Sequence, residues 1–145
     1  VKLSTQAFIT VLKVQQSLYE HSHGLIGHRL LLMPTLLLRT TGRKSGLTRT
    51  NALVYGRDGD SYLVCGSNGG HHLPPAWALN MEANPEVELQ VGVRRIPAVA
   101  RTLRPGDVDY DRLFAICNKA NRGQFAAYQK KTERPLPVFV MTPER

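Results

Sequence analysis

Acidic residues are scarce in this sequence: 11 Asp and Glu face 19 Lys and Arg across 145 residues, giving a formal charge of +8. Cysteine is scarcer, with Cys65 and Cys117 alone. They carry no metal-ligand spacing and could pair with each other only if the fold brought them together. They read as two reduced core thiols of a cytoplasmic protein. Long hydrophobic runs are missing too. Residues 30–38, the longest apolar stretch, are broken by Pro34 and Thr35 and bracketed by Arg29 and Arg39, well short of the roughly 20 residues of a spanning helix. Neither a transmembrane segment nor a signal peptide is expected. The patterns GxxxxGK[ST], GxGxxG and GxSxG do not occur, so a P-loop, a dinucleotide fingerprint and a hydrolase nucleophile elbow are excluded.

What remains is ordinary globular composition, 42% hydrophobic and 21% charged with 12 glycines, at a length that suits one domain with its own core. The charge is uneven, since residues 1–57 hold eight bases and one acid, Glu20. An anionic partner is implied: nucleic acid, a membrane surface, or a phosphorylated or polycarboxylate ligand. With 7% aromatics and no RNP-like or helix-turn-helix pattern, nucleic acid is the weakest of these.

Residues 6–20 place Phe8, Val11, Leu12, Leu18 and Tyr19 near helical spacing behind Ser4 and Thr5, predicting an amphipathic helix. Residues 35–41 are short and apolar between Pro34 and Gly42, which suits a buried strand. Strands are expected over 48–55 and 61–67, paired antiparallel across the Asp58-Gly59 turn. A short helix starts at Pro75 and ends before Asn84-Pro85, and residues 86–91 and 94–103 form a hairpin about Gly92. Asp107 is placed to cap a helix reaching about Lys119, a second helical piece covers 124–131, and 136–141 reads as a last strand. Five or six strands joined by hairpins point to an antiparallel barrel decorated by helices, and exclude the regular alternation of a Rossmann fold.

Two segments offer chemistry. In Thr40-Thr41-Gly42-Arg43-Lys44-Ser45-Gly46-Leu47-Thr48-Arg49, glycines permit a tight turn with exposed N–H groups, while Arg43, Lys44, Arg49 and the hydroxyls suit a phosphate or carboxylate. Spacing alone reads equally well as a solvated basic turn. Gly66-Ser67-Asn68-Gly69-Gly70, followed by Pro74-Pro75-Ala76-Trp77-Ala78-Leu79-Asn80, joins a strand end, a glycine loop and a helix start, a place that offers N–H groups to a ligand. Trp77 in isolation is core filler. His71 and His72 point apart in an extended segment and form no metal site. Asp107, Asp109 and Asp111 are caps and dipole complements, and Phe125 and Tyr128 share a helix face that is core or the lid of a pocket.

Taken in order, LLLRTTGRKSGLTRTNALVY, SNGG, PPAW with Asn80, MEANPEVELQV and YQKKTERPLPVFV resemble the deazaflavin-dependent nitroreductase family, split β-barrel oxidoreductases of actinobacteria that use coenzyme F420. The resemblance covers about residues 36–140. It implies a mainly β (α+β) fold, an antiparallel split β-barrel of FMN-binding-like type with short flanking helices. The single split-barrel domain then spans 1–145, with the N-terminal amphipathic helix in 1–22 and the barrel with its inserted helices in 35–141. By resemblance Arg43, Lys44, Ser45 and Arg49 hold the phosphate and tail of F420. Asn51, Ala52, Leu53 and Val54 line its ring, Gly66, Ser67 and Asn68 meet it from the neighbouring strand end, and Ala76, Trp77 and Asn80 close the other side. Ser67 and Tyr128 stand at the substrate, with Tyr128 orienting it, because an unperturbed phenol is a weak acid near neutrality.

The resemblance makes the chain a reductase moving hydride from reduced F420 to a quinone-like or other electron-poor acceptor. Segment 121–125 lacks the tyrosines of nitroimidazole-activating members, so a quinone, including menaquinone, is the natural acceptor. Flavin mononucleotide (FMN) is the alternative cofactor, and a non-catalytic F420 or flavin carrier the alternative role. Partners are then a small-molecule acceptor and no nucleic acid, in a monomer or weak homodimer. The protein is expected to be cytoplasmic, with peripheral contact at the inner face of the plasma membrane.

Overall fold

A computed structural model describes residues 33–144. The helix expected over 6–20 lies outside the described residues. Seven strands form one antiparallel sheet in the order β2-β1-β5-β6-β7-β4-β3. Their ranges are β1 Thr35–Thr41, β2 Thr48–Val54, β3 Gly56–Asp58, β4 Ser61–Cys65, β5 Glu86–Val91, β6 Arg94–Leu103 and β7 Val138–Pro143. Among the described residues three α-helices accompany them, α1 Ala76–Ala83, α2 Tyr110–Ala120 and α3 Gln124–Gln129, with a single 3-10 turn over Asn68–Gly70.

The expected pairing of 48–55 with 61–67 is not what forms. β2 pairs along its whole length with β1, from Thr41↔Thr48 to Thr35↔Val54. Only the three residues of β3 reach β4, through Gly56↔Leu63 to Asp58↔Ser61. The Asp58-Gly59 turn does make a hairpin, but a short one. Every neighbouring pair in the sheet is antiparallel, so the two edge strands β2 and β3 run in the same direction. Tyr55 alone separates them. Residues 48–58 are therefore one bent strand whose first part pairs with one end of the sheet and whose last part pairs with the other. The sheet must curl to allow this, which is the split-barrel geometry.

Strand alternation sorts side chains onto two faces. Leu36, Leu38, Val87, Leu89, Ile96, Ala98, Phe139, Met141, Tyr62 and Val64 fill the barrel interior with Tyr55, Trp77 and Met81. Leu63, Cys65, Leu103, Val138 and Val140 face outward and are covered by Tyr110, Leu113 and Cys117 of α2 and Phe125 and Tyr128 of α3. Burial pushes the Cys117 thiol up to about 12, raises Cys65 well above the ordinary range and moves the Tyr110 phenol to about 12.

The start of α2 also differs from expectation. Asp107 caps no helix: its Oδ2 accepts from the Arg104 N–H at 2.8 Å, and α2 begins three residues later. Asp109 precedes α2 with a left-handed φ of 70° and makes no side-chain cap bond. Its Oδ1 instead accepts from Arg112 Nε at 3.4 Å, and only Asp111 sits in the first turn as a dipole complement.

Candidate active site

The basic turn between β1 and β2 is built tightly. Gly42 N donates to Leu47 O at 2.7 Å, Gly46 N to Gly42 O at 2.8 Å, and Leu47 N to Ser45 Oγ at 3.1 Å. A Cβ on Gly42 would lie 2.7 Å from Ser45 Oγ and displace that hydroxyl, and Gly46 has a left-handed φ of +73° that favours glycine. The turn is braced from α1. Buried Asn80 accepts on Oδ1 from Arg43 N at 3.1 Å and from Arg43 Nη1 at 3.0 Å, and its Nδ2 donates to Thr40 Oγ1 at 3.4 Å. Arg43 thus holds the turn's shape. Lys44 and Arg49 stand exposed and have no carboxylate partner among the described residues.

On β2, register places Asn51 opposite Leu38 and Leu53 opposite Leu36, so these two share the interior face. Ala52 and Val54 alternate to the other face, packed with Leu37 and Met33 respectively. Ala76 is exposed at the start of α1, whereas Trp77 is buried, edge-on to Phe139 with ring centroids 5.7 Å apart. Pro75 stands one position ahead of α1 as its cap and not as its first residue, its carbonyl accepting from Ala78 N at 3.1 Å.

The second loop, 66–71, packs on both Phe139 and α3. A Cβ on Gly66 would meet Pro137 Cγ at 2.9 Å and the Phe139 ring at 3.3 Å. Phe139 therefore touches both sides of the site, Trp77 from one and Gly66 from the other. Asn68, Gly69 and Gly70 take successive left-handed φ values of 46°, 64° and 82°. At Gly70 a Cβ would lie 2.8 Å from Tyr128 O, so the loop seats directly on α3. Buried Ser67 donates its N–H to Cys65 O and accepts from Gly70 N, both at 2.9 Å. The Tyr128 hydroxyl donates to Gln124 Oε1 at 3.0 Å, and burial raises its pKa. His71 and His72 do not point apart: their rings stack at 4.3 Å, because the Leu73 N–H donates to His71 Nδ1 and folds that ring back along the chain. Among the described residues no group of three potential ligands could hold a metal.

The sequence assigned no role to the segment that ties this loop down. Gln129 Nε2 donates to Thr132 O at 3.2 Å and to Arg134 O at 2.9 Å, and its Oε1 accepts from Leu136 N at 3.0 Å. Arg134 N donates to Thr132 Oγ1 at 3.1 Å. From that frame the Arg134 guanidinium reaches across: Nη1 donates to Gly66 O at 3.0 Å, and Nη2 to Ser67 O at 3.0 Å and His71 O at 3.3 Å. The residues stood in the sequence as QKKTERPL, but only the fold shows what they hold. A cavity of about 600 Å³ between Tyr55, Arg57, Ile116 and Lys119 lies at the far end of the β1–β2 hairpin and takes in none of the predicted site residues.

Residues 11–143 match the protein family described as F420H(2)-dependent quinone reductase. An F420H(2)-dependent quinone reductase of Mycobacterium tuberculosis strain H37Rv is 43% identical over 135 residues, 92% of this chain and 91% of that protein. The solved structure of an F420-H2 dependent reductase (FDR-A) is 34% identical, with a TM-score of 0.67 over 74% of this chain and 93% of that one. A further structure, described as a domain-swapped dimer, is 30% identical with a TM-score of 0.70, covering 92% of this chain and 98% of its own. No helix among the described residues is long and apolar enough to cross a membrane.

Proposed function

Because the chain belongs to the F420H(2)-dependent quinone reductase family, we propose that the braced basic turn and the 66–71 loop are the two sides of its F420 and quinone site. The observation that carries this reading is Lys44 and Arg49, exposed cations without carboxylate partners among the described residues, on a turn whose shape Asn80 fixes from beneath. Preformed, uncompensated charge on a rigid turn fits the phosphate and polycarboxylate tail of the cofactor.

Arg43 shapes the turn and Lys44, Ser45 and Arg49 bind the tail. Asn51 and Leu53, on the interior face of β2, line the ring with Ala52 and Val54 contributing backbone, while Gly66, Ser67 and Asn68 meet the ring from the opposite edge. Ala76, Trp77 and Asn80 close that side. Bound reduced F420 supplies the hydride. The protein orients the acceptor, and burial makes the phenol of Tyr128 a still weaker acid, so Tyr128 orients and solvent delivers the proton that completes the quinol.

The acceptor is a small quinone, and the working unit is a monomer or weak homodimer. The basic excess of residues 1–57 supports a cytoplasmic protein that reaches a lipid-borne quinone at the inner membrane face. A titration with F420 and, separately, FMN, followed by Trp77 fluorescence, tests the site; the expected result is saturable quenching by F420 alone. Oxidation of F420H2 by a water-soluble quinone such as menadione tests the reaction. No quenching together with no turnover defeats the reading.

A further inference from the structure

We propose that Arg134 is a positioning residue of the reductase, setting the Ser67–Asn68 peptide so that the Asn68 N–H donates to a carbonyl oxygen of the bound ligand. This rests on the functional reading above and extends it to a residue that touches neither ring. All three acceptors of the guanidinium are main-chain carbonyls of one loop. Bunched on one side they repel one another, and the rigid guanidinium meets all three with two of its nitrogens. The peptides of this loop are trans, and in a trans peptide the N–H points opposite its carbonyl. With Ser67 O held on Arg134, the Asn68 N–H is therefore turned to the other face of the loop. It makes no hydrogen bond with any described residue.

Chemistry beyond a simple tie is indicated by the cost of the clamp. Arg134 has no carboxylate partner among the described residues, its Nε is buried without a hydrogen bond, and desolvation disfavours its charge. A neutral amide would satisfy carbonyls at lower desolvation cost. The cation polarises the carbonyl it holds and thereby strengthens the N–H on the far side of the same peptide as a donor. A quinone and the deazaflavin ring both present such a carbonyl, and its oxygen gains negative charge when it belongs to the quinone that accepts hydride.

The test compares wild type with Arg134→Lys, which keeps the charge and loses the fork, and with Thr132→Val, which removes only the acceptor of the Arg134 N–H. Three readouts are taken: the Kd of F420 from Trp77 quenching, kcat/KM for menadione, and amide exchange of residues 66–71. For Arg134→Lys we expect faster exchange confined to that loop and a loss of about tenfold in either Kd or kcat/KM. A change in Kd identifies the cofactor's carbonyl as the acceptor, and a change in kcat/KM at unchanged Kd identifies the quinone's. Thr132→Val should move the same parameter by a smaller factor, and it carries the test alone should Arg134→Lys not fold. Methylguanidinium added to Arg134→Ala should recover part of the loss. The proposal is overturned if the folded variants keep both parameters within about twofold of wild type, or if methylguanidinium restores nothing. Wild type that neither binds F420 nor reduces menadione would instead defeat the functional reading itself.

Discussion

Asn80 shows how much one side chain can decide. It is 4% exposed, and its amide answers two donors of Arg43 and one acceptor on Thr40. Asn80→Ala leaves these groups unpaired at the base of the turn and is expected to cost about 1–3 kcal/mol of stability, read by urea denaturation, and to weaken F420 binding without changing Lys44 or Arg49. Tyr128 makes the opposite point. Its hydroxyl already donates to Gln124, and burial raises its pKa above the ordinary 10.0, so it stays neutral through the working range. Tyr128→Phe should lower kcat/KM for a quinone by about two- to tenfold with an unchanged pH profile; a lost ionisation in that profile would make Tyr128 an acid and not an orienter. The burial of Tyr128 with Phe125 on one helix face was legible in the sequence, whereas the environment of Asn80 was not. Asn80 and Arg43 are 37 positions apart, and no local pattern says which distant group an amide will meet.

At the scale of elements, legibility followed locality. β1 matches its expected range of 35–41 to the residue, and β5 and β6 pair about Gly92 as their alternation and turn glycine foretold. The mistaken pairing of 48–55 has a physical cause: an Asp-Gly turn specifies a hairpin only as far as the strands stay together, and here the bend at Tyr55 hands the strand to β1. The basic turn was visible as a cluster of charges, but its brace from α1 was not. Since Arg43 is engaged by Asn80 while Lys44 and Arg49 take no part in the brace, removing these two tests the element as a unit. Lys44→Ala/Arg49→Ala should raise the Kd of F420 at low salt and flatten its salt dependence, because screened charge-assisted contacts are what is lost. Equal affinity at both ionic strengths in wild type would show that the turn binds no anion.

For the whole molecule, the layer between the sheet and α2–α3 carries a pH dependence. Cys65, Cys117 and Tyr110 all have folded pKa values raised by burial. Above pH 9.0, the ordinary thiol value, the unfolded chain releases protons that the folded chain retains, so stability falls as pH rises, and it is flat with respect to these groups below that point. Each thiol contributes a slope of about 1.4 kcal/mol per pH unit. Cys117→Ala should shallow the decline of unfolding free energy above pH 9.0 by that amount, whatever its effect at neutrality; an unaltered slope there would place the titration elsewhere.

β7 lies between β6 and β4 in the sheet, although it follows both by many residues. On a growing chain, β2, β1, β5 and β6 can pair once residue 103 is made, and β3 with β4 earlier still, yet apart from the chain itself at Tyr55 no strand bridges the two pieces until residues 138–143 appear. The same late stretch supplies Pro137 O, which accepts from Gly66 N, and the guanidinium of Arg134. Between residues 103 and 138 the nascent chain thus carries two patches of sheet linked only through Tyr55 and a loop without its clamp, and the sheet and the candidate site are completed by the same late stretch.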